Sequence, residues 1–440
     1  MTRGLAWEIL RSGSTAPTRD VAGAAERAGL DSRDRGLLAR IVRTDVQRRG
    51  TLQAIVRTFA KGKPSRDLTA FLRIGFVQLF FMDRVPGHAA VSETVGAASR
   101  HLGLAKGRYV NGVLRTAKRA ISEEPSGDPR RDLVGRNWSF NEPIFHDPEE
   151  HYFLWAEDAL SLPATLFKSW HKRYGKEKAL ELANACLEDP HLSLRVVQGT
   201  REELQAELLT HEVPTTCGEH PLILTATSDL VEKALATDAF REGRITVQGE
   251  AAYRAAEFCE AGEGERWLDL CAAPGGKTAV LAAAGAKVTA CDLSEAKLDR
   301  LTDTLARLKL LENVETLQLA EDGSGAEGEF DGVLLDVPCS NTGVLARRPE
   351  ARWRWGPQSR KGLAELQNEI LRRGAQLVRP GGKLVYSTCS IEPDENEQRI
   401  RSFIEKNPGW ALEVDISTFP RPTHPAGSVD GGFAARLRRL

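Results

Sequence analysis

The stretch Trp267-Leu268-Asp269-Leu270-Cys271-Ala272-Ala273-Pro274-Gly275-Gly276-Lys277-Thr278 joins an apolar run to a turn that contains two glycines. The run Trp267–Leu270 predicts a short buried strand, and the apolar pattern from Ala279 onward predicts a helix. Gly275 and Gly276 permit a tight turn and a close approach of a ligand to the backbone. The N-terminus of the following helix presents N–H groups that suit an anion. The stretch therefore predicts a strand, a turn able to hold a ligand, and a helix.

Strand-like and helix-like segments alternate from about residue 243 onward. The strand-like segments are Trp267–Leu270, Lys287–Cys291, Val314–Leu319, Gly332–Asp336 and Lys383–Ser387. The helix-like segments are Ala279–Ala284, Glu295–Leu310, Leu363–Leu377 and Glu395–Glu405. Alternation of this kind favours a doubly wound parallel sheet. Ligands of such sheets bind beyond the carboxyl ends of the strands, so the residues that follow each strand are the candidate site.

Two interpretations of the glycine turn, a P-loop and a dinucleotide fingerprint, can be tested by spacing. A phosphate-binding P-loop needs a glycine five positions before Gly276, where this chain has Cys271, and the dinucleotide fingerprint G-x-G-x-x-G is absent. The second predicted strand is followed by Asp292, an acidic residue that suits the ribose hydroxyls of a nucleoside. A nucleoside cofactor and a turn without any ligand both remain compatible with the turn taken alone.

Two later strands each end in a cysteine motif. One is followed by Asp336-Val337-Pro338-Cys339-Ser340, and the other ends in Ser387-Thr388-Cys389-Ser390. If these strands are neighbours, two cysteines and a carboxylate meet in one crevice. A single buried cysteine usually serves as a small apolar side chain. Two cysteines beside an acid and a nucleoside-type turn indicate catalysis instead.

The N-terminal part of the chain has a different texture. Apolar residues recur at three- and four-residue spacing up to about residue 121, which predicts helices. The segment 123–129 breaks this periodicity and predicts a linker. Residues 136–240 are mixed, with a helix-like stretch around Phe153-Leu154-Trp155 and a strand-like run Leu192–Val197. A helical part and a mixed part thus precede the alternating region.

Charge is distributed unevenly along the chain. Residues 1–120 contain 22 Lys and Arg against 9 Asp and Glu, whereas the remainder contains 38 against 52. A basic N-terminal part is typical of a protein that binds a polyanion. A solvated basic helical surface would give the same count.

Cysteine use and hydropathy narrow the class of protein. The seven cysteines form no C-x-x-C pair, which argues against a zinc site, and their odd number argues against a disulfide framework. No apolar run approaches the roughly 20 residues that span a bilayer, and no signal-type segment follows the N-terminus. We therefore expect a cytoplasmic protein without a metal, and a monomer.

Taken together, these motifs resemble those of the RNA cytosine-C5 methyltransferases, most closely the branch that acts on small-subunit ribosomal RNA. The matching stretches are Asp269–Thr278, Leu335–Gly343, Leu366–Leu371 and Leu384–Glu397. The combination of Pro338-Cys339-Ser340 with Thr388-Cys389-Ser390 is typical of this family, whereas DNA cytosine methyltransferases use only the cysteine that follows proline. The sequence departs from the family pattern in four places: Val197 stands in place of an Asn, Gly249 in place of an Asp and Asn341 in place of a small residue, and Asp430-Gly431-Gly432-Phe433 lacks one of the usual aromatics.

The N-terminal part is similar to the RNA-binding fold of the antitermination factor NusB. The similarity rests on Leu72-Arg73-Ile74-Gly75 with Gln78, on His88–Glu93 and on Val110–Arg115. The whole resemblance implies a multidomain chain: an all-α NusB-like domain at 1–125, a small mixed domain at 136–242, and an α/β Rossmann-like methyltransferase domain at 243–440.

The resemblance also implies a cofactor and its binding residues. The cofactor is S-adenosylmethionine, held by the turn residues Cys271, Ala272, Ala273, Pro274, Gly275, Gly276 and Lys277 together with Asp292, Asp322 and Asp336. Asp292 is expected on the ribose, Asp322 near the adenine, and Lys277 near the carboxylate of the cofactor. As an alternative, Asp322 is a turn former.

Catalytic roles follow from the resemblance in the same way. Carbon 5 of cytosine is a weak nucleophile, and addition of a thiolate to carbon 6 makes it enamine-like. Cys389 is implied as the attacking residue, Asp336 as the group that holds or protonates the ring nitrogen, and Cys339 is our candidate for assisting release of the product.

The implied partner is 16S rRNA, at an unpaired site because the target base must leave its stack. The segment Arg347–Trp355 has arginines and tryptophans that suit RNA, or that anchor the segment by packing. A tRNA cytosine-C5 methyltransferase and a non-catalytic ribosome assembly factor that binds RNA are the alternative functions.

Overall fold

In the computed structural model, residues 1–421 and 429–440 are described. Their contacts divide the chain into two units. Unit 1 comprises Met1–Leu187 and Arg348–Gly356, and unit 2 comprises Glu188–Arg347 and Pro357–Leu440. The boundaries of the three predicted domains do not coincide with this division, because the chain that follows residue 136 packs with the N-terminal helices as far as Leu187. The three-domain organisation stays a prediction.

Unit 1 is built mainly from helices, as the apolar spacing predicts. They are α1 (Thr2–Arg11), α2 (Pro17–Arg27), α3 (Ser32–Gln47), α4 (Arg49–Phe59), α5 (Arg66–Phe81), α6 (Gly87–Leu102), α7 (Leu104–Arg119), α8 (Tyr152–Leu160), α9 (Ala164–Tyr174) and α10 (Lys176–Ala185). The strands β1 (Ile121–Ser122) and β2 (Ser139–Phe140) form a short antiparallel pair, and Pro349–Arg354 is a 3₁₀ helix. Within the described residues, no helix is both long enough and apolar enough to cross a membrane.

Helix α5 lies at the centre of unit 1. Most of its side chains are buried, including Phe71, Ile74 and Phe76, as expected for a helix that is apolar nearly all round. Arg73 is the one buried cation among the described residues of this helix. Its Nε donates a hydrogen bond to the buried Asp45 of α3 at 2.8 Å. Pairing of this kind removes the cost of burying either charge alone.

The first part of unit 2 contains a small antiparallel sheet. Its strands are β3 (Leu192–Val196), β4 (Thr216–Cys217), β5 (Ile223–Ala226) and β6 (Ile245–Val247), in the order β4-β5-β3-β6. The helices beside it are α11 (Arg201–Thr210), α12 (Val231–Leu235) and α13 (Asp238–Arg241), with a 3₁₀ turn at Ser228–Leu230. Strand β3 corresponds to the strand predicted from Leu192–Val197.

The second part of unit 2 is the α/β region. Its strands are β7 (Arg266–Asp269), β8 (Lys287–Asp292), β9 (Val314–Gln318), β10 (Phe330–Asp336), β11 (Val378–Thr388), β12 (Trp410–Thr418) and β13 (Gly432–Arg439). Its helices are α14 (Glu250–Glu257), α15 (Gly276–Ala283), α16 (Glu295–Arg307), α17 (Pro357–Leu377) and α18 (Glu397–Lys406), with a 3₁₀ turn at Leu311–Asn313. In the described residues the strand order is β12-β13-β11-β10-β7-β8-β9.

The direction of the strands corrects one prediction. Strands β11, β10, β7, β8 and β9 are parallel, as the alternation with helices predicts. Strand β13, however, is antiparallel to both β11 and β12, so a purely parallel sheet is wrong at this edge. The cause is the connection, since β12 and β13 follow α18 in succession and pair directly with each other. The sheet is therefore mixed, and its parallel part carries the strand ends that form the candidate site.

Candidate active site

The carboxyl ends of β10 and β11 lie side by side. The two strands pair in parallel with Asp336 opposite Ser387, so the segments that follow them leave the sheet together. The Sγ atoms of Cys339 and Cys389 are 3.1 Å apart. The predicted meeting of the two cysteine motifs is thus present. We refer to Cys339 and Cys389 as the cysteine pair.

The two members of the cysteine pair differ in environment. Cys339 is buried, whereas Cys389 is only half-buried. The hydrogen bond with Cys389, burial, and the nearby charges of Cys389 and Glu395 raise the pKa of Cys339 well above its usual value. The protonated form of Cys339 is therefore favoured, and its thiol can donate to the sulfur of Cys389.

A network of hydroxyl and carboxylate groups fixes the segments around the cysteine pair. Glu395 accepts hydrogen bonds from the backbone N–H of Ser340 at 3.0 Å and from its Oγ at 2.6 Å. The hydroxyl of Ser390 lies 3.0 Å from that of Ser340 and 3.1 Å from that of Thr342. Helix α17 contributes Gln367, whose Nε2 donates to the carbonyl of Pro338 at 2.9 Å. Both cysteine segments are consequently tied to each other and to the helix layer.

The carboxylate of Asp336 is held from two sides. Lys277 Nζ donates to its Oδ2 at 2.6 Å, and Ser387 Oγ donates to its Oδ1 at 2.9 Å. Burial lowers the pKa of Lys277, but the charge of Asp336, its hydrogen bond and the charge of Asp269 outweigh burial and raise the pKa overall. Lys277 is therefore a cation that faces Asp336. Spacing along the sequence did not indicate this contact.

Asp269 stabilises the glycine turn, Cys271–Lys277, by accepting hydrogen bonds at both ends of it. The Oγ1 of Thr278 donates to Asp269 Oδ2 at 2.8 Å, and the N–H of Cys271 lies 3.4 Å from Oδ1. Burial, with a smaller effect from the charge of Asp336, raises the pKa of Asp269 to about 7. Gly275 has φ +98°, in the region that favours glycine, so the turn needs glycine at this position.

A cavity opens at the carboxyl ends of β8 and β9, beyond Asp292. It has a volume of about 690 Å³ and is lined by Leu293, Gln318, Leu319, Ala320, Glu321, Ser324 and Gly325. Asp292 at the end of β8 accepts a hydrogen bond from Ser294 N at 3.1 Å and pairs with Lys297 Nζ at 3.1 Å. A carboxylate beside an opening of mixed apolar and polar lining is what a nucleoside requires. The lining residues were not singled out in the sequence, since no short motif contains them.

These features fit S-adenosylmethionine. The first N–H groups of α15 have no acceptor within their own helix and can bind the carboxylate of an amino acid. Asp292 offers oxygens to ribose hydroxyls, and the cavity beyond β8 and β9 is large enough for an adenine ring. Asp322 differs from the expectation: it is exposed, and its Oδ1 accepts from Ser324 N and Oγ at 2.9 and 2.7 Å. In the structure its carboxylate therefore stabilises a turn, in agreement with the alternative interpretation. A contact between Asp322 and the adenine stays a prediction.

The segment Arg347–Trp355 is divided between the units. In unit 1, Arg352 is fully buried and donates to the carbonyls of Gln47, Ser161 and Cys186 at 3.4, 3.2 and 2.8 Å. Trp353 Nε1 donates to the carbonyl of Val46 at 2.8 Å. These contacts favour the packing interpretation for both side chains.

Arg347, at the other end of that segment, belongs to unit 2. Its Nε donates to Asp430 Oδ2 at 2.6 Å, and the same carboxylate oxygen lies 3.1 Å from where a Cβ of Gly249 would stand. An aspartate at position 249, as in the resembling family, would face this carboxylate. The glycine at this position therefore suits the Asp430–Arg347 pair.

Among the described residues, no group of three or more His, Cys, Asp or Glu side chains is arranged to hold a metal ion.

The parallel strands of the mixed sheet, the glycine turn and the cavity beside Asp292 are those of a Rossmann-like methyltransferase. A family model described as 16S rRNA methyltransferase RsmB/F matches residues 257–425, and a NusB family model matches residues 5–119. The probable ribosomal RNA small subunit methyltransferase B of Bacillus subtilis (strain 168) is 32% identical over 88% of this chain and 83% of its own length. The ribosomal RNA small subunit methyltransferase B of Enterobacter sp. (strain 638) is 33% identical over 93% and 91%.

A solved structure extends the similarity to the whole fold. The crystal structure of the protein PH0851 superposes with a TM-score of 0.74, covers 100% of this chain and 99% of its own, and is 24% identical. At that identity the superposition is evidence for the fold. From the sequence relatives, the chain belongs to the ribosomal RNA small subunit methyltransferase B family. It is an S-adenosylmethionine-dependent methyltransferase, which confirms the expected fold class, enzyme class and cofactor.

Proposed function

We propose that this chain transfers a methyl group from S-adenosylmethionine to carbon 5 of a cytosine in 16S rRNA, through a covalent bond between Cys389 Sγ and carbon 6. The observation that carries the proposal is the cysteine pair, 3.1 Å apart at the ends of β10 and β11, with Asp336 at the end of β10. The similarity to ribosomal RNA small subunit methyltransferases B supports the choice of substrate. Because ribosomal RNA is the substrate, the reaction takes place in the cytoplasm.

Cys389 is the nucleophile because it is the more accessible sulfur, whereas the raised pKa of Cys339 favours the protonated form of that residue. Its thiolate adds to carbon 6 and turns carbon 5 into the nucleophilic end of an enamine. The neighbouring thiol of Cys339 can donate a hydrogen bond to the thiolate and lower its energy. S-adenosylmethionine, when bound, supplies the methyl group on a positively charged sulfur.

The ring nitrogen of the cytosine takes up a proton from solvent as the thiolate adds, and Asp336 holds the base by accepting a hydrogen bond from that N–H. Lys277 and Ser387 each donate to one of its oxygens, so the carboxylate is fixed in position before the base arrives. A group positioned in this way stabilises the protonated ring without reorganisation during the reaction. Lys277 thereby positions Asp336, in addition to its expected place near the carboxylate of the cofactor.

Release requires two bond changes in the methylated adduct. The proton on carbon 5 leaves to solvent, the Sγ–C6 bond breaks, and its electron pair returns to Cys389 as the ring nitrogen gives up its added proton and the ring regains conjugation. Cys339 assists this step, because its sulfur is the group next to that of Cys389. The buried Glu395 and Ser390, together with Ser340, keep the two segments in register throughout.

The basic helical part of unit 1 supports RNA binding. Helix α7 has no acidic residue and exposes Lys106, Arg108, Arg115, Lys118 and Arg119. Such a helix attracts phosphates, while the target base leaves its stack at a cost of roughly a few kcal/mol. An unpaired cytosine lowers that cost.

Trapping of the adduct tests the roles of the two cysteines. Cys339→Ala is expected to accumulate a protein–RNA adduct that survives denaturation, because release is impaired, and Cys389→Ala is expected to form none. Cys217→Ala, which changes an exposed cysteine outside the pair, is the matched control and should turn over without a lasting adduct. An adduct in Cys389→Ala and none in Cys339→Ala would reverse the assignment.

Mapping of methylcytosine tests the substrate. Bisulfite sequencing of 16S rRNA and tRNA is carried out on cells with and without the gene, complemented by wild type or Cys389→Ala. We expect one 16S position to lose methylation and to regain it with wild type alone. Loss confined to tRNA would overturn the substrate and keep the chemistry. An unchanged pattern in both RNAs would favour the assembly-factor alternative.

A further inference from the structure

Asn341 occupies an unusual backbone position next to the cysteine pair. It lies between Cys339-Ser340 and Thr342-Gly343, and its φ of +61° is in the left-handed region. Among residues with a side chain, asparagine is one of the few that adopt this conformation readily. A glycine or another small residue would serve the turn equally well, so the turn alone does not account for the amide side chain.

The orientation of the Asn341 amide is fixed by one strong contact. Its Nδ2 donates to the carbonyl of Cys339 at 2.7 Å. A carbonyl oxygen accepts and cannot donate, so the nitrogen of the amide must face it. The Oδ1 atom is thereby directed at Cys389, whose Sγ lies 3.2 Å away.

This geometry distinguishes the two protonation states of Cys389. An amide oxygen is an acceptor, so the contact is a hydrogen bond only when Cys389 carries its proton. A thiolate would face the partial negative charge of Oδ1 instead. Hydrogen bonding to the neutral form of a group disfavours its ionised form. The neighbouring Cys339 has the opposite effect, because its thiol can donate to the thiolate.

We propose that Asn341 is a positioning residue that holds Cys389 as a thiol, and so in its less reactive form, while no base is bound. The hydrogen bond also directs the sulfur toward the segment 339–341. On ionisation, the proton leaves to solvent and the contact with Oδ1 is lost, which frees the sulfur for carbon 6. This inference rests on the proposed role of Cys389 as the nucleophile.

The test measures alkylation of Cys389 by iodoacetamide as a function of pH in the full chain without RNA. Because trypsin cleaves after Lys383 and Arg399, the peptide Leu384–Arg399 reports on Cys389 as its sole cysteine. Asn341→Gly keeps the backbone conformation and removes the acceptor, so the midpoint should fall by about 0.5–1 pH unit, or roughly three- to tenfold faster alkylation at neutral pH. Asn341→Asp adds negative charge beside the sulfur and should raise the midpoint.

Opposite shifts in these two variants are the expected result, because a merely structural role would move both in the same direction. A shift in the same direction for both, or an unchanged midpoint in Asn341→Gly, would overturn the proposal. Val344→Ala, in the same segment, is the control and should leave the midpoint unchanged. The assay needs no RNA, so its outcome is independent of adduct formation. If Cys389→Ala still formed the adduct, the proposed function would fail whatever the alkylation profile.

Discussion

Asp269, at the end of β7, carries a buried carboxyl group whose charged form is opposed by its surroundings. Burial raises its pKa to about 7 from an ordinary value of 3.8. The folded chain therefore holds this proton more tightly than the unfolded chain does. The stability that Asp269 contributes is fully present below about pH 3.8 and is lost as the pH rises through about 7.

Asp269→Asn is expected to remove this dependence on pH. Between about pH 5 and about pH 8, the free energy of unfolding of wild type should fall relative to that of the variant by roughly 2–3 kcal/mol. Urea unfolding at the two pH values measures the difference. Asparagine keeps the size of the side chain and one acceptor oxygen, so the comparison isolates the charge. Parallel profiles for the two proteins would contradict the assignment.

At the residue scale, local motifs predicted the groups at strand ends and missed the groups brought in from elsewhere. Cys339, Cys389 and Asp336 follow predicted strands, and the order of strands in a doubly wound sheet brings them together. Glu395 and Gln367 reach the same place from other segments of the chain. Their contacts depend on packing between elements, which no spacing in the sequence encodes.

At the scale of elements, a glycine in β10 leaves space for a tryptophan of the neighbouring strand β7. Gly332 pairs with Trp267 across the two strands, and a Cβ at this position would lie 2.4 Å from the indole ring. Trp267 is fully buried, and its ring crosses β10 where this glycine leaves space. Gly332 therefore sets the distance between two strands that carry the glycine turn and Asp336 to the site.

Gly332→Ala is expected to destabilise unit 2 by about 1–3 kcal/mol, because the ring cannot move without disturbing a packed core. Gly362→Ala is the matched control. Its Cβ would have no neighbour within 4 Å, and alanine favours the helix α17 by up to about 1 kcal/mol. Thermal unfolding of both variants gives the comparison. Equal effects of the two substitutions would show that the contact with Trp267 does not matter.

The elements at the edge of the sheet show where the prediction failed. Apolar and polar residues alternate along β12, with Leu412, Val414 and Ile416 between Glu413, Asp415 and Ser417. This period of two is the signal of a half-exposed antiparallel strand and could have revealed it. The central parallel strand β10, by contrast, contains the apolar run Val333-Leu334-Leu335, all of it buried, as expected for a strand covered on both faces.

At the scale of the whole molecule, charge separates the helical N-terminal part from the rest. Neutralising Arg108, Arg115 and Arg119 of α7 is expected to weaken RNA binding and reduce its dependence on salt. For three phosphate contacts to single-stranded RNA, the slope of log affinity against log salt should become shallower by about 2.

Filter binding or fluorescence anisotropy over a range of salt concentrations measures this slope. Neutralising three exposed cations of unit 2, Lys361, Arg401 and Lys406, is the matched control and should leave the slope nearly unchanged. If the control lowered the slope and the α7 variant did not, the RNA would be bound elsewhere. In both cases the free energy of unfolding should stay near that of wild type, because exposed charges contribute little to it.

The segment Arg348–Gly356 belongs to unit 1, although the residues on either side of it belong to unit 2. Its buried Arg352 donates hydrogen bonds to three carbonyl groups of unit 1. A gene fragment that ended at Leu187 would omit this guanidinium and expose those carbonyls. Unit 1 is thus not encoded by the N-terminal part of the gene alone. Recombination that exchanged this unit between relatives would have to exchange two separate stretches of the gene at once.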